Sequence, residues 1–280
     1  MIKERFSRML ICFAVVMFYA CSDSGNLSDS LPAPSFSGEV TAETSVDWDV
    51  LLYNGYYKVQ NNVWNKKGAS GSSSQKMVLE TIGGKSAFGW QWSWSGTGGN
   101  VVAYPEVVFG DKPWDEKSGI STPLPVRAGS AEITADFDVA VNASGVYNMT
   151  FTMWVHSSLQ DPKNSIKNEI MIWTVNNGLT PAGSRTGSVT LCGSVWDVYV
   201  RKNHVDASGE NRQIWTYVAF KARENIFKGP LNLNEFSDYL IGEGLLSAED
   251  YISSVEFGNE VADGKGCTEV TSYSLTVKKR

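Results

Sequence analysis

From Val46 onward the chain alternates apolar and polar side chains with a period of two, and the runs stop at Gly, Asn, Asp, Ser and Pro. Successive side chains leave a strand on opposite faces, so this period marks strands laid against a core. Phe88, Trp90, Trp92 and Trp94 fall on one face of such a run, with Gly89, Gln91 and Ser93 on the other. Tyr147, Met149, Phe151, Met153 and Val155 make a second apolar face, and Asn148, Thr150, Thr152, Trp154 and His156 lie behind it. In the run 169–175, Ile170 and Ile172 point one way and Glu169, Met171 and Trp173 the other. Further strands are predicted near 77–82, 101–109, 130–137, 188–192, 195–200, 214–220, 253–260 and 272–277. One segment differs: Leu233, Phe236, Tyr239 and Leu240 recur at helical spacing, after Asn232 or Asn234 as a cap and before Gly242 and Gly244. Many strands, one short helix and no βα alternation predict an all-β, two-sheet sandwich.

Two of these strands carry a mixed face. A face meant only for solvent has little use for Trp154 and Trp173, and a face meant only for a core has little use for Glu169. Aromatic platforms beside hydrogen-bonding groups and a carboxylate suit a groove for sugar rings. Near the C-terminus Val255 and Phe257 mark a core face, which places Glu256, Gly258 and Glu260 on the opposite one. Gly258 leaves room there for a bulky ligand. Glycoside hydrolysis uses two carboxyl groups, about 5–5.5 Å apart in its retaining form. Glu169 and Glu260 are the candidates, with Glu256 as a substitute for Glu260; a solvent-facing Glu on an alternating strand is the plain alternative for each. His156 shares the groove face as a possible sugar contact, and His204 falls in a polar loop where solvation suffices. No Gly-x-Ser-x-Gly elbow accompanies either histidine.

Composition sharpens this picture. The 280 residues include 10 Trp, 11 Tyr and 12 Phe, with 42% hydrophobic and 19% charged residues, enough for one large ordered domain. A net charge of −6 argues against a nucleic-acid partner. Lys3, Arg5 and Arg8 precede an apolar run from Met9 to Ala20 that is short for a membrane span and reads as a signal peptide. It ends in Phe18-Tyr19-Ala20-Cys21, which resembles the lipobox of bacterial lipoproteins; ordinary cleavage near Ala20 is the alternative. The resemblance implies lipidation at Cys21, with export to the outer membrane, cell surface or periplasmic face. The expected organisation is a leader over 1–21, a flexible tether over 22–44 and a domain over 45–280, acting as a monomer. Cys192 and Cys267 remain, either as a disulfide or as two free thiols, and their spacing fits no zinc site.

The residues also resemble a known family. Asn61-Asn62-Val63-Trp64, Ala103-Tyr104-Pro105 with Phe109-Gly110, Glu169-Ile170-Met171-Ile172-Trp173 and Gly258-Asn259-Glu260 stand in the order of the landmarks of family 12 glycoside hydrolases. The resemblance spans about Asn54 to Val277. It implies a β-jelly-roll sandwich with a concave cleft and retaining endo-hydrolysis of β-1,4-glucans: cellulose-type, mixed-linkage or xyloglucan. It further implies Glu169 as nucleophile, Glu260 as acid/base, and substrate contacts at Asn62, Trp64, Thr152, Trp154, Met171 and Trp173. No metal or organic cofactor is implied. Phe151-Thr152-Met153-Trp154 departs from the family's Tyr-Asp-x-Phe/Trp, where the Asp hydrogen-bonds the nucleophile, and Val261-Ala262 replaces a frequent Pro-Phe. The departure at Thr152 keeps a second reading open, a non-catalytic glycan-binding lipoprotein on the same sandwich. A xylanase of the related jelly-roll family is disfavoured by the wording of the Glu169 strand.

Overall fold

Two strands are far longer than the rest, and they organise the others. The computed structural model describes residues 35–280 apart from 116, 210 and 211; the leader, Cys21 and residues 22–34 lie outside the described residues. Within that span the elements are β1 (Glu39–Thr44), β2 (Val50–Tyr53), β3 (Tyr57–Gln60), β4 (Ser73–Ile82), β5 (Lys85–Trp94), β6 (Glu106–Gly110), β7 (Val126–Arg127), β8 (Ala131–His156), β9 (Ile166–Asn177), β10 (Ser184–Leu191), β11 (Ser194–Val205), β12 (Ile214–Ala222), β13 (Leu231–Asn232), α1 (Leu233–Gly242), β14 (Tyr251–Gly258) and β15 (Val261–Lys279). The first half of β8 pairs with β15, which continues through β5 and β4 to β1. Its second half pairs with β14 on one side and β9 on the other. From there one arm runs through β6 and β3 to β2, and the other through β12 and β11 to β10. Two layers therefore share one strand. Pairing is antiparallel except between β9 and β12.

The apolar faces read from the alternation meet between the layers. Phe88, Trp90, Trp92 and Trp94 are buried, as core rather than as sugar platforms. Phe151 stacks on Phe257 with centroids 4.1 Å apart, and Phe137 packs on both at 5.2 Å. Truncating a ring in such a cluster costs about 3–5 kcal/mol. The helix α1 buries Leu233, Phe236 and Leu240, and Phe236 meets Trp196 and Phe220 edge-on.

Two boundaries differ from the sequence expectation. Residues 39–44, assigned to the tether, form β1 and hydrogen-bond along β4, because an edge strand with little apolar character still satisfies its backbone on a neighbour. Gly258 is not an opening for ligand. A Cβ there would lie 2.3 Å from the Pro105 carbonyl oxygen, so the glycine serves the close approach of β6. Cys192 and Cys267 are free thiols.

Candidate active site

The polar-aromatic faces of β8, β9, β12 and β14 floor a cleft of about 830 Å³. Register explains its composition. Glu169 on β9 lies opposite Trp154 on β8 and Tyr217 on β12, while Met171 lies opposite Thr152. Asn62, Trp64, Thr152, Trp154, Glu169, Met171, Trp173 and Glu260 all line this one cleft. Trp154 is wedged edge-on between Trp114 at 4.7 Å and Trp215 at 5.3 Å.

The two glutamates are held differently. The indole N–H of Trp215 donates to Glu169 Oε2 at 2.8 Å, a bond that favours the ionised carboxyl. Burial works the other way and pushes Glu169 up to about 8, with the charge of Glu260 adding to the rise. Glu260 follows the end of β14 and is gripped by Asn148. Its backbone N–H donates to Asn148 Oδ1 at 3.0 Å, which fixes the amide so that Asn148 Nδ2 must face Glu260 Oε2. Burial pushes Glu260 up to about 7 against that bond. With Oε2 accepting from Asn148, Oε1 is the oxygen left to carry a proton into the cleft. Below Glu260, Asn259 is an anchor: Trp90 Nε1 and Thr268 Oγ1 donate to its Oδ1 at 2.7 and 2.8 Å, and its Nδ2 donates to the Asn148 carbonyl at 2.7 Å.

Thr152 does not hydrogen-bond Glu169 but turns to Tyr104. The Tyr104 hydroxyl donates to the Thr150 carbonyl at 3.0 Å, so the Thr152 hydroxyl donates to Tyr104 at 3.1 Å. Trp215 supplies the hydrogen bond that Thr152 does not give. Asn62 likewise works through neighbours: its Oδ1 accepts the Trp64 backbone N–H at 3.0 Å and its Nδ2 donates to Glu106 at 2.6 Å.

His156 is a correction. It is buried, its Nδ1 lies 2.9 Å from the Ser158 carbonyl, its ring stacks on Tyr251, and it is not part of the cleft wall. The ladder to β9 slips between Val155 and His156, which breaks the alternation that put it on the groove face. His204 is corrected in the opposite sense. It lines the cleft, packs against Trp215 and Tyr217 at 5.4 and 5.0 Å, and burial, then Arg201, pushes it down to about 4. The alternation places Asn148 on the polar face but gives it no part in the site, and Trp215 and Trp114 went unnoticed in the sequence. Trp48 did too, although a bulky residue held at φ 68° and 45% exposed at the cleft is an unusual combination.

The sequence profile described as "Glycosyl hydrolase family 12" matches residues 55–278. The chain belongs to this family. Among its relatives, Endoglucanase S of Pectobacterium parmentieri is 32% identical over 245 residues, covering 85% of this chain and 88% of that protein. A probable xyloglucan-specific endo-beta-1,4-glucanase A of Aspergillus clavatus is 26% identical over 258 residues, covering 90% and 98%. The solved family 12 xyloglucanase from Bacillus licheniformis superposes with a TM-score of 0.73 at 30% identity, covering 85% of this chain and 100% of that one. The family 12 match accounts for the landmark order seen in the sequence and for the jelly-roll sandwich seen in the fold.

Proposed function

We infer that the chain is a glycoside hydrolase that cuts internal β-1,4 bonds of a glucan, with Glu169 as nucleophile and Glu260 as acid/base. The observation that carries this is the pairing of two half-buried carboxyls in one aromatic cleft, each held by a different donor. Glu169, one oxygen fixed by Trp215, attacks the anomeric carbon with the other as Glu260 protonates the departing glycosidic oxygen. The bond to the leaving sugar breaks and a glycosyl ester on Glu169 forms. Water then attacks the anomeric carbon of that ester, Glu260 takes its proton, the bond to Glu169 breaks to free its carboxylate, and the second inversion leaves the product with its original anomeric configuration. Family membership, with one relative named an endoglucanase and another a xyloglucan-specific endo-beta-1,4-glucanase, supports a β-1,4-glucan such as xyloglucan as substrate.

The test uses the soluble domain on xyloglucan, barley β-glucan, carboxymethylcellulose and xylan, with NMR of the first-formed anomer. Retained products from a glucan, lost by at least about 10³-fold in Glu169→Gln and Glu260→Gln, are expected. Absence of hydrolysis on every glucan, with binding intact, would instead make it a glycan-binding protein. The anchor at Cys21 is part of the same proposal: full-length protein should incorporate labelled fatty acid and Cys21→Ala should not.

A further inference from the structure

A third carboxyl lies in the cleft and has no part in double displacement. Glu256 sits on β14 opposite Thr152 and lines the cleft, yet its residue is only 2% exposed. Beside it Glu106, on β6, is wholly buried. Glu106 Oε1 accepts from Lys112 Nζ and from Asn62 Nδ2, both at 2.6 Å, and Lys112 also donates to Gln60 Oε1 at 3.0 Å. Glu106 Oε2 has no donor among the described residues, and a buried acceptor left in that state is unfavourable.

The two carboxyls themselves resolve the deficit. Glu256 and Glu106 lie within hydrogen-bond reach of each other, and two carboxyl groups can bond only if one holds a proton. Glu106 already accepts from a cation and an amide, so the proton belongs to Glu256. Ser254 Oγ donates to Glu256 Oε1 at 3.1 Å. The titratable groups around Glu256 are Glu106 on β6, Tyr104 before it, Lys112 and Asp115 after it, Tyr273 on β15 and Glu260 beyond its own strand. Lys112 is the cation among them, and it is paired directly with Glu106.

We propose that Glu256 is a neutral carboxylic acid at working pH, its proton shared with Glu106, and that with Lys112 it forms a charge-balanced floor beside the catalytic pair. Burial holds the Glu256 carboxyl well above the usual range, Lys112 pulls it down, and Glu106 pushes it up again. The consequence concerns proton counting. An ionised Glu256 would add a negative charge near Glu260 and favour protonation of both catalytic glutamates, leaving the nucleophile blocked. A balanced floor leaves Glu169 and Glu260 to titrate against each other. Glu256 is thus a positioning residue, acting on the field around the reacting groups rather than on the sugar bond. Its effect on the catalytic pair rests on the roles given above to Glu169 and Glu260; its protonation does not.

Infrared spectroscopy tests the protonation without any turnover. In a Glu169→Gln/Glu260→Gln background at neutral pH, a carboxylic-acid C=O band should be present and should disappear on adding Glu256→Gln. Glu106→Gln in the same background should also remove it, because Glu256 then ionises against Lys112; this variant keeps the test alive if the first does not fold. In the otherwise native enzyme, Glu256→Gln should leave both limbs of the kcat/KM pH profile in place. No band in the background protein, or limbs displaced to lower pH by about one unit, would show an ionised Glu256 and overturn the proposal. Loss of hydrolysis would end the proposed function while leaving the infrared result intact.

Discussion

A single indole decides much at the level of residues. Trp215 donates a hydrogen bond to Glu169 at 2.8 Å, where the family more often has an Asp at the position of Thr152. A donor to a carboxylate stabilises the charged form, so removing it raises the pKa. Trp215→Phe should therefore move the alkaline limb of kcat/KM, set by the group near 8, to higher pH and cut kcat/KM at neutral pH by about 10-fold, the effect of losing one hydrogen bond to a charged group. An unchanged alkaline limb would mean that the indole only fills space. In the native enzyme the reactive form is the pair carrying one proton. With Glu260 near 7 and Glu169 near 8, the one-proton pair is most populated between those values; its commoner microstate holds the proton on Glu169, and turnover draws on the minor one that holds it on Glu260. The kcat/KM profile should accordingly peak close to neutrality, which initial rates on a soluble glucan across pH will check.

Among the elements, the tightest fit is that of β14 against β6. Gly258 lies opposite Glu106 in the ladder, and any side chain there runs into the Pro105 carbonyl. Gly258→Ala should lower the melting temperature by about 5 °C, since overpacking costs about 1–3 kcal/mol and each kcal/mol is worth about 2–4 °C in a domain of this size. Calorimetry reads this directly, and an undisturbed melting temperature would show that β6 can yield. The same strands show how far sequence reaches. Alternation exposed the faces of β5, β8 and β9 because pleating maps directly onto residue order. It failed at His156, where a slip in pairing shifts the pleat without any mark in the local sequence. It also left residues 39–44 unassigned to a strand, because Val40 and Ala42 alone make an alternation too short and too weakly apolar to stand out from the polar stretch before it.

For the whole molecule, the site depends on partners remote in the chain. Asn148 and Glu260 are 112 residues apart, and Trp215 and Glu169 are 46 apart. Spacing brought neither pair together on paper, whereas the glutamates themselves stood out as charges on half-apolar strands. Burying both carries a cost to folding. A carboxyl whose folded pKa exceeds its unfolded value near 4.5 contributes its full stability below that value and loses it as pH rises through the folded one. The fold should therefore weaken between about pH 5 and pH 8 as far as these groups are concerned. Glu169→Gln cannot ionise, so it should melt several degrees above the native enzyme at alkaline pH and close to it near pH 5. Equal melting curves at alkaline pH would contradict the burial of Glu169 as a neutral acid.

The length of β8 has a last consequence. The 26 residues of this strand bind β15 and β13 with one half and β14 and β9 with the other, so the ground beneath the sugar is the same ribbon that carries the opposite layer. Such a ribbon has no joint about which two jaws could swing. A polymer chain must settle sideways into a trough that is already shaped, and discrimination between branched and plain glucans then falls to the rim loops that meet the incoming strand first.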